Sequence, residues 1–284
     1  MMTETQTQAR KAYRRRTLVR TAGFYLLLAF VLAPFMFVFL YMVATSFKSP
    51  LDINSGSFTL LFTPTLDNYR DVLLGTDFIS FTINSFVVAG SSTLIALIIG
   101  LPAAFAIARY KMPRLGAVIL SSRITPGIAF LIPWFIIFSQ VGWIDTYQAL
   151  ILSHLLVNLP LVTYLMVSFF EDFPEELLDS AAVDGASAIG TFVKVVLPVT
   201  KGGIASAAIL GFVFSWNNFL FSVVIAGRDT RTLPVAVFEF MSYGSINWGA
   251  ICAAATVMTL PVIVLALLVQ RHIVEGLAGG SLKG

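Results

Sequence analysis

Long uncharged runs decide what this 284-residue chain can fold into. Residues 21–47 carry no charge and exceed the about 20 residues that suffice to cross a hydrocarbon core. Further apolar runs at 78–108, 117–144, 146–170, 202–227 and 246–270 predict six transmembrane helices, an all-α membrane protein. Hydrophobic residues make up 57% and charged residues 12% of the chain, with a mean hydropathy of +0.87, which excludes an ordinary soluble domain. A net charge of +3 does not point to nucleic acid, because the basic residues flank apolar runs instead of forming a stripe. The single cysteine, Cys252, lies within an apolar run, so no intrachain disulfide and no thiol metal cluster is expected.

Residues 1–20 form a basic arm bearing Arg10, Lys11, Arg14, Arg15, Arg16 and Arg20. A cleaved signal peptide is the competing reading of that arm. The apolar run after it is too long for a signal core and lacks a small-x-small cleavage site, which favours an uncleaved anchor. The run at 117–144 is interrupted by Arg123. An arginine at the bilayer centre costs about 2.5–3.5 kcal/mol on insertion scales, so Arg123 is expected near the cytoplasmic interface, with Pro126 and Pro133 bending the span. With the N-terminus inside, 13 Lys or Arg fall on the cytoplasmic side and 4 outside, Arg123 set apart. The positive-inside rule therefore puts both termini, the tail at 273–284 and the connection at 171–201 in the cytoplasm.

That connection, Glu171 to Lys201, is the one long patterned polar segment between spans. Asp172 stands three residues before Glu175, Pro174 falls in the first turn, and acids crowd the entry, which together predict a capped helix start. Leu177, Leu178, Ala181 and Ala182 fall on one side of that helix, and Asp184-Gly185 ends it in a sharp turn. Ser187 can cap a second helix with Ile189, Phe192, Val193 and Val196 on its apolar face, closed by Pro198. On physics alone, two short helices hinged at a turn also suit a pair resting on lipid.

No Gly-Lys dipeptide occurs, so the chain has no phosphate-cradling loop of the Walker type. Its two histidines, His154 and His272, are far apart, and neither a nucleophile elbow nor a zinc protease motif can be drawn. An enzyme inside the membrane is not indicated. The polar groups within spans are the remaining candidates for a translocation path: Trp216, Asn217 and Asn218 in the fifth run, His154 and Asn158 in the fourth. Adjacent asparagines on one helix point apart, so one of the two is expected to line a path and the other to tie helices together. Trp216 either stacks on a sugar ring or packs. His154 and Asn158 share a helix face and are expected to bond each other.

The run Ser180-Ala181-Ala182-x-Asp184-Gly185-Ala186, followed by Leu197-Pro198, resembles the EAA loop of the permease subunits of bacterial ABC importers. The likeness extends over nearly the whole chain and is nearest to the second permease subunit of the maltose-type carbohydrate importers. Asp67-Asn68-Tyr69, Phe105 to Tyr110, Pro133, Trp216-Asn217, Leu233-Pro234 and Gln270-Arg271 carry it besides the loop. It implies a six-span permease domain over 21–272 in the bacterial inner (cytoplasmic) membrane, with 171–201 as the coupling loop between helices four and five. It also implies a heterodimer with a second permease subunit, two ATPase subunits that hold ATP and magnesium, and an extracytoplasmic sugar-binding protein. No cofactor is implied in this chain. Glu176, Asp179, Ser180, Ala181, Ala182, Asp184, Gly185, Leu197 and Pro198 would then contact or shape the coupling to the ATPase. Ser180 departs from the usual glutamate of the family, and Glu176 or Asp179 stands close enough to substitute. In relatives the segment matching Gly227 to Ser245 reaches the binding protein and the C-terminal tail touches the ATPases.

Two other readings stay open on the residues alone: an ion-coupled secondary carrier, and an ABC importer permease for a solute other than a sugar. The carrier needs a buried acid for coupling, and all 15 Asp and Glu lie outside the span interiors.

Overall fold

A computed structural model describes residues 4–55, 61–122, 125–242 and 245–281. Arg123 therefore lies outside the described residues. In chain order the helices are α1 (Glu4–Ser46), α2 (Pro50–Asn54), α3 (Asp67–Leu74), α4 (Phe78–Arg109), α5 (Pro113–Ser122), α6 (Leu131–Gln140), α7 (Tyr147–Glu171), α8 (Glu175–Val183), α9 (Ala188–Thr191), α10 (Leu197–Val199), α11 (Lys201–Trp216), α12 (Leu220–Ile225), α13 (Leu233–Ala236) and α14 (Trp248–Ser281). Among the described residues the departure from an all-α chain is one antiparallel pair, β1 (Met241–Ser242) with β2 (Ser245–Ile246), in register Met241 to Ile246.

Among the described residues four helical stretches are long and apolar enough to cross a membrane: Thr17–Ser46, Phe78–Arg109, Tyr147–Glu171 and Trp248–Leu268. A fifth is counted if Ala188–Val199 and Lys201–Trp216, which meet at 80°, are taken as one broken span. Six continuous apolar spans are not found among the described residues. The expected span at 117–144 is broken at Thr125 and Pro126: α5 is described as far as Ser122, and beyond Pro126 the chain resumes as a 3-10 turn, Gly127–Phe130, that runs into α6. Pro126 has no N–H to give and biases the residue before it away from helix, which is reason enough for the break. The expected span at 202–227 likewise stops at Trp216 and restarts at Leu220.

The chain divides into two compact units. In the first, residues 1–69 with 248–256, Asn68 is 3% exposed, and its amide donates to the carbonyls of Ser46 at 2.9 Å and Lys48 at 2.8 Å. Gly249 lies against that amide with no room for a Cβ. Tyr69 adds a 2.7 Å hydroxyl contact to Ser46 and a ring contact to Phe47. Asn68 and Tyr69 therefore pin the end of α1. The apolar side chains of α1 from Leu18 to Leu40, half-buried Phe39 apart, stand exposed, as a helix bathed in lipid requires.

In the second unit α4, α7 and α11 pack on one another. The close approaches are made by small residues, as expected where no water drives helices together. Gly100 faces Thr163 and Val162, Gly211 faces Thr93, and Gly203 lies under the Phe169 ring with no space for a side chain. Two cores result. One joins Ala96, Leu101 and Ala104 of α4, Val162, Met166 and Phe170 of α7, Ala207 of α11, and Phe173 and Val196 of the connection at 171–201. The other joins Val88, Leu131, Phe138, Ala149, Leu150, Phe221 and Ile225, closing α4, α6, α7 and α12 at the opposite end. At Thr200, where the two arms of the 80° bend meet, the hydroxyl donates to Val196 O at 2.8 Å and the carbonyl accepts from Ile204 N at 3.0 Å.

Candidate coupling loop and path residues

The connection at 171–201 folds as two short helices at a turn. The capping box does not form. Pro174 occupies the N-cap of α8 without a side-chain bond, and Asp172 instead ends α7, its N–H reaching Ser168 O at 3.3 Å. Glu175 and Glu176 fill the first turn of α8, where the helix dipole favours them. Leu178 and Ala181 turn inward, Ala181 being 7% exposed, whereas Leu177 and Ala182 face outward. The buried stripe is therefore narrower than the four residues suggested, because α8 rests on no more than α9, the stretch Phe192–Val196 and Phe173.

α8 closes in a Schellman motif. Gly185 donates to Ala182 O at 3.1 Å and Ala186 to Ala181 O at 2.9 Å, with Gly185 at a φ of +77°. Asp184 is exposed at the C-cap, and the Ser180 hydroxyl is spent on its own helix, donating to Glu176 O at 2.8 Å. Ser187 caps the next helix as expected, accepting from Gly190 N at 3.1 Å. Pro198 does not close that helix. The helical path continues through a wide π turn, Phe192–Val196, and α10 to Val199, so that the turn meeting a proline with no N–H to offer is the loose one.

The inner side of the loop is rooted in the spans. Phe192 lies 5.3 Å from the Phe105 ring of α4, which is 5.6 Å from Phe170 of α7, and Leu197 packs on the same core. The outer side presents Val183 at 88% and Ile189 at 77% exposure beside exposed Glu176, Asp179 and Asp184. Arg109 of α4 pairs with Glu175 at 3.9 Å; both are exposed, so the pair adds at most about 1 kcal/mol.

The break after Trp216 changes the reading of the two asparagines. A continuous helix would turn them apart, but α11 stops, and both Asn217 and Asn218 line one cavity of about 460 Å³ with Val157, Val213, Phe214 and Phe219. Asn217 Nδ2 donates to Val213 O at 2.9 Å, and Asn218 Oδ1 accepts from Phe221 N at 3.1 Å and so starts α12. Trp216 points the other way. Its ring is 1% exposed, packed on Phe86 and Phe212, and Nε1 donates to Met258 O at 3.1 Å.

His154 and Asn158 are interior, 2% and 0% exposed, and do not bond each other. His154 Nδ1 meets Ser215 Oγ at 2.7 Å, Ser215 meets Ser92 at 3.0 Å, and Asn158 Nδ2 donates to Ser92 at 3.1 Å and Thr93 at 3.4 Å. Three helices are tied by this chain of bonds. Its members Ser92, Thr93 and Ser215 escape a sequence reading because hydroxyls in apolar helices are common and can satisfy themselves on the preceding turn; the run Ser91-Ser92-Thr93 is the available signal.

The helical architecture, the broken spans and the loop together belong to the inner-membrane component of binding-protein-dependent transport systems: the model of that family matches residues 96–279, and the chain is a member of it. It is a multi-pass membrane transport subunit. Over 266 residues it is 35% identical to the trehalose transport system permease protein SugB of Mycobacterium tuberculosis (strain CDC 1551 / Oshkosh), covering 91% of this chain and 95% of that protein. It is 33% identical over 257 residues to the trehalose/maltose transport system permease protein MalG of Thermococcus litoralis, covering 88% and 92%. In fold it is similar to a chain of a bacterial ABC transporter involved in the import of the acidic polysaccharide alginate, with a TM-score of 0.72 at 19% identity over 95% of this chain and 98% of that one.

Proposed function

We propose that the chain is one of two permease subunits of an ATP-driven importer for a sugar or sugar derivative, and that 171–201 docks on a cytoplasmic ATPase subunit holding ATP and magnesium. The observation that carries the proposal is the loop's two-sidedness. Its exposed tip, Val183 to Ile189, stands on a base that shares one core with α4, α7 and α11. A push on the tip then reaches the spans through packed side chains, without a flexible linker to absorb it. Sugar as the solute rests on the trehalose and maltose systems named for the relatives.

In this reading Glu176, Asp179, Asp184 and the tip face the ATPase, Ala181 fixes α8 to its base, and Gly185 sets the turn. Leu197 and Pro198 belong to the inner root. Asn217 and Asn218 line the path, while Trp216, His154 and Asn158 hold the helices that form it. Both termini lie in the cytoplasm, and the outer segment from Gly227 to Ser245 faces an extracytoplasmic sugar-binding protein. In vesicles carrying both permeases and the ATPases, with binding protein on the opposite face, uptake of labelled trehalose or maltose is expected only with ATP on the ATPase side. Uptake driven by an ion gradient without ATP would overturn the assignment.

Ser180 supplies a second test. Its hydroxyl faces outward, so glutamate fits without displacing packed atoms. Ser180→Glu is expected to keep ATPase copurification or strengthen it; loss of copurification would mean that the partner surface is built around serine.

A further inference from the structure

At the end of the second unit opposite the coupling loop, one carboxylate holds a segment that has no regular structure of its own. Asp145, at a φ of +61°, sits in the short turn between α6 and α7. Its Oδ1 accepts from Gly227 N at 2.8 Å, Thr230 N at 3.0 Å and Thr230 Oγ1 at 2.7 Å, and its Oδ2 accepts from Asp229 N at 3.2 Å. Its own N–H donates to Ile225 O at 3.0 Å, closing the end of α12. Gly227 lies so close that any Cβ would collide with the carboxylate.

Asn84 of α4, 5% exposed, grips the next stretch. Nδ2 donates to Asp229 O at 3.0 Å and Arg231 O at 2.9 Å, while Oδ1 accepts from Tyr147 OH at 2.6 Å. Ser85 Oγ accepts from Leu233 N at 2.8 Å. The segment Gly227–Leu233 is thus bound side chain to backbone along its length. Beyond it, a 3-10 turn and the β1–β2 pair present Phe238, Met241 and Ile246 at 53%, 48% and 43% exposure, with Arg231 and Glu239 joined by an ion pair. Phe238 also rests on Phe219, which lines the cavity of Asn217 and Asn218.

Charge strengthens the grip. Burial alone would raise the Asp145 pKa, but the Thr230 hydroxyl and the N–H groups of Asp229, Gly227 and Thr230 outweigh it and hold the carboxyl below the usual 3.8. A depressed carboxyl contributes stability that is present above its unfolded pKa and is lost only as pH falls through the lowered one. The clamp therefore stays ionised across physiological pH.

We propose that Asp145, seconded by Asn84, is a positioning residue that fixes Gly227–Leu233 and so sets the orientation in which the exposed side chains of Phe238, Met241 and Ile246 are offered to the extracytoplasmic binding protein. It acts through the loop, and touches neither partner nor solute. The inference rests on the importer reading above.

The test uses the assembled transporter with Asp145→Asn, which keeps shape and removes charge, and Thr230→Val, which removes one donor and spares the rest. Hydrogen exchange at the amides of Gly227, Asp229 and Thr230 is expected to rise about tenfold or more in Asp145→Asn, the scale of losing bonds to a charged acceptor. The concentration of binding protein that half-saturates ATPase stimulation is expected to rise several-fold, with the maximal rate retained. Thr230→Val is expected to shift both in the same direction by less. Gly227→Ala, which displaces the carboxylate, should add little to Asp145→Asn in the double variant, because both remove one interaction. Unchanged exchange, or a lowered maximal rate at unchanged half-saturation, overturns the proposal. Should Asp145→Asn not assemble, Thr230→Val decides by the same two readings. If the binding protein fails to stimulate even the unaltered transporter, it is the importer reading that falls.

Discussion

Gly185→Val is expected to abolish solute uptake while the chain still reaches the membrane. The obstacle is not crowding, since nothing lies within 4 Å of the position a Cβ would take. It is the backbone: at a φ of +77° a β-branched residue is strained by about 1–3 kcal/mol. That strain is relieved most readily by giving up the two bonds that close α8, Gly185 to Ala182 and Ala186 to Ala181. The tip then swings while its root stays packed, so ATPase copurification and uptake fall together. Asparagine tolerates the left-handed region, and Gly185→Asn is expected to retain most uptake, with Gly185→Ala between the two. A graded loss in that order is the signature of a dihedral requirement. Wild-type uptake in the valine variant would remove the turn from the mechanism.

Trp216→Ala is expected to lower the thermal stability of the purified complex more than any other single truncation in the path region. Trp216 is the largest fully buried side chain among the described residues, and deleting such a ring costs about 3–5 kcal/mol. The loss also leaves Met258 O without its indole donor. Trp216→Phe fills most of the space and is expected to keep uptake at a modestly reduced melting temperature. A residue that stacked on passing sugar would behave differently, losing uptake at unchanged stability in the phenylalanine variant. An alanine variant that melts with the wild type would show that the ring is not the packing centre its burial implies.

These cases show which physics a sequence carries. Gly185 and Ser187 are legible because a Schellman turn and an N-cap are local, decided within five residues. Pro198 misleads because the rule that proline ends a helix takes no account of a π turn upstream that accommodates it. Leu177 and Ala182 share a spacing with Leu178 and Ala181, yet helical spacing reports only a possible face, and the ledge beneath decides its width. Inside the membrane the difficulty is greater. Lipid and protein core are equally apolar, so periodicity cannot tell the side of α7 that holds His154 from the side that meets solvent hydrocarbon. Breaks hide for the same reason: nothing in Trp216-Asn217-Asn218 marks the end of α11 except a pair of asparagines that also suits a mid-helix position. Asp145 looks like a mere turn residue, since its four donors lie more than eighty residues away in the chain.

The 80° bend at Thr200 sets two helical arms of unequal length at an angle. At 1.5 Å per residue the arm Ala188–Val199 is about 18 Å long and the arm Lys201–Trp216 about 24 Å. The elbow is braced by the Thr200 hydroxyl on Val196 and by Ile204 on Thr200. In the proposed coupling, the elbow turned as one piece would work as a bell crank: a displacement at the loop end would emerge near the asparagine break redirected through the bend and lengthened by a factor of about 1.3, the ratio of the arms. Stiffness at one threonine would then govern how much of each stroke arrives.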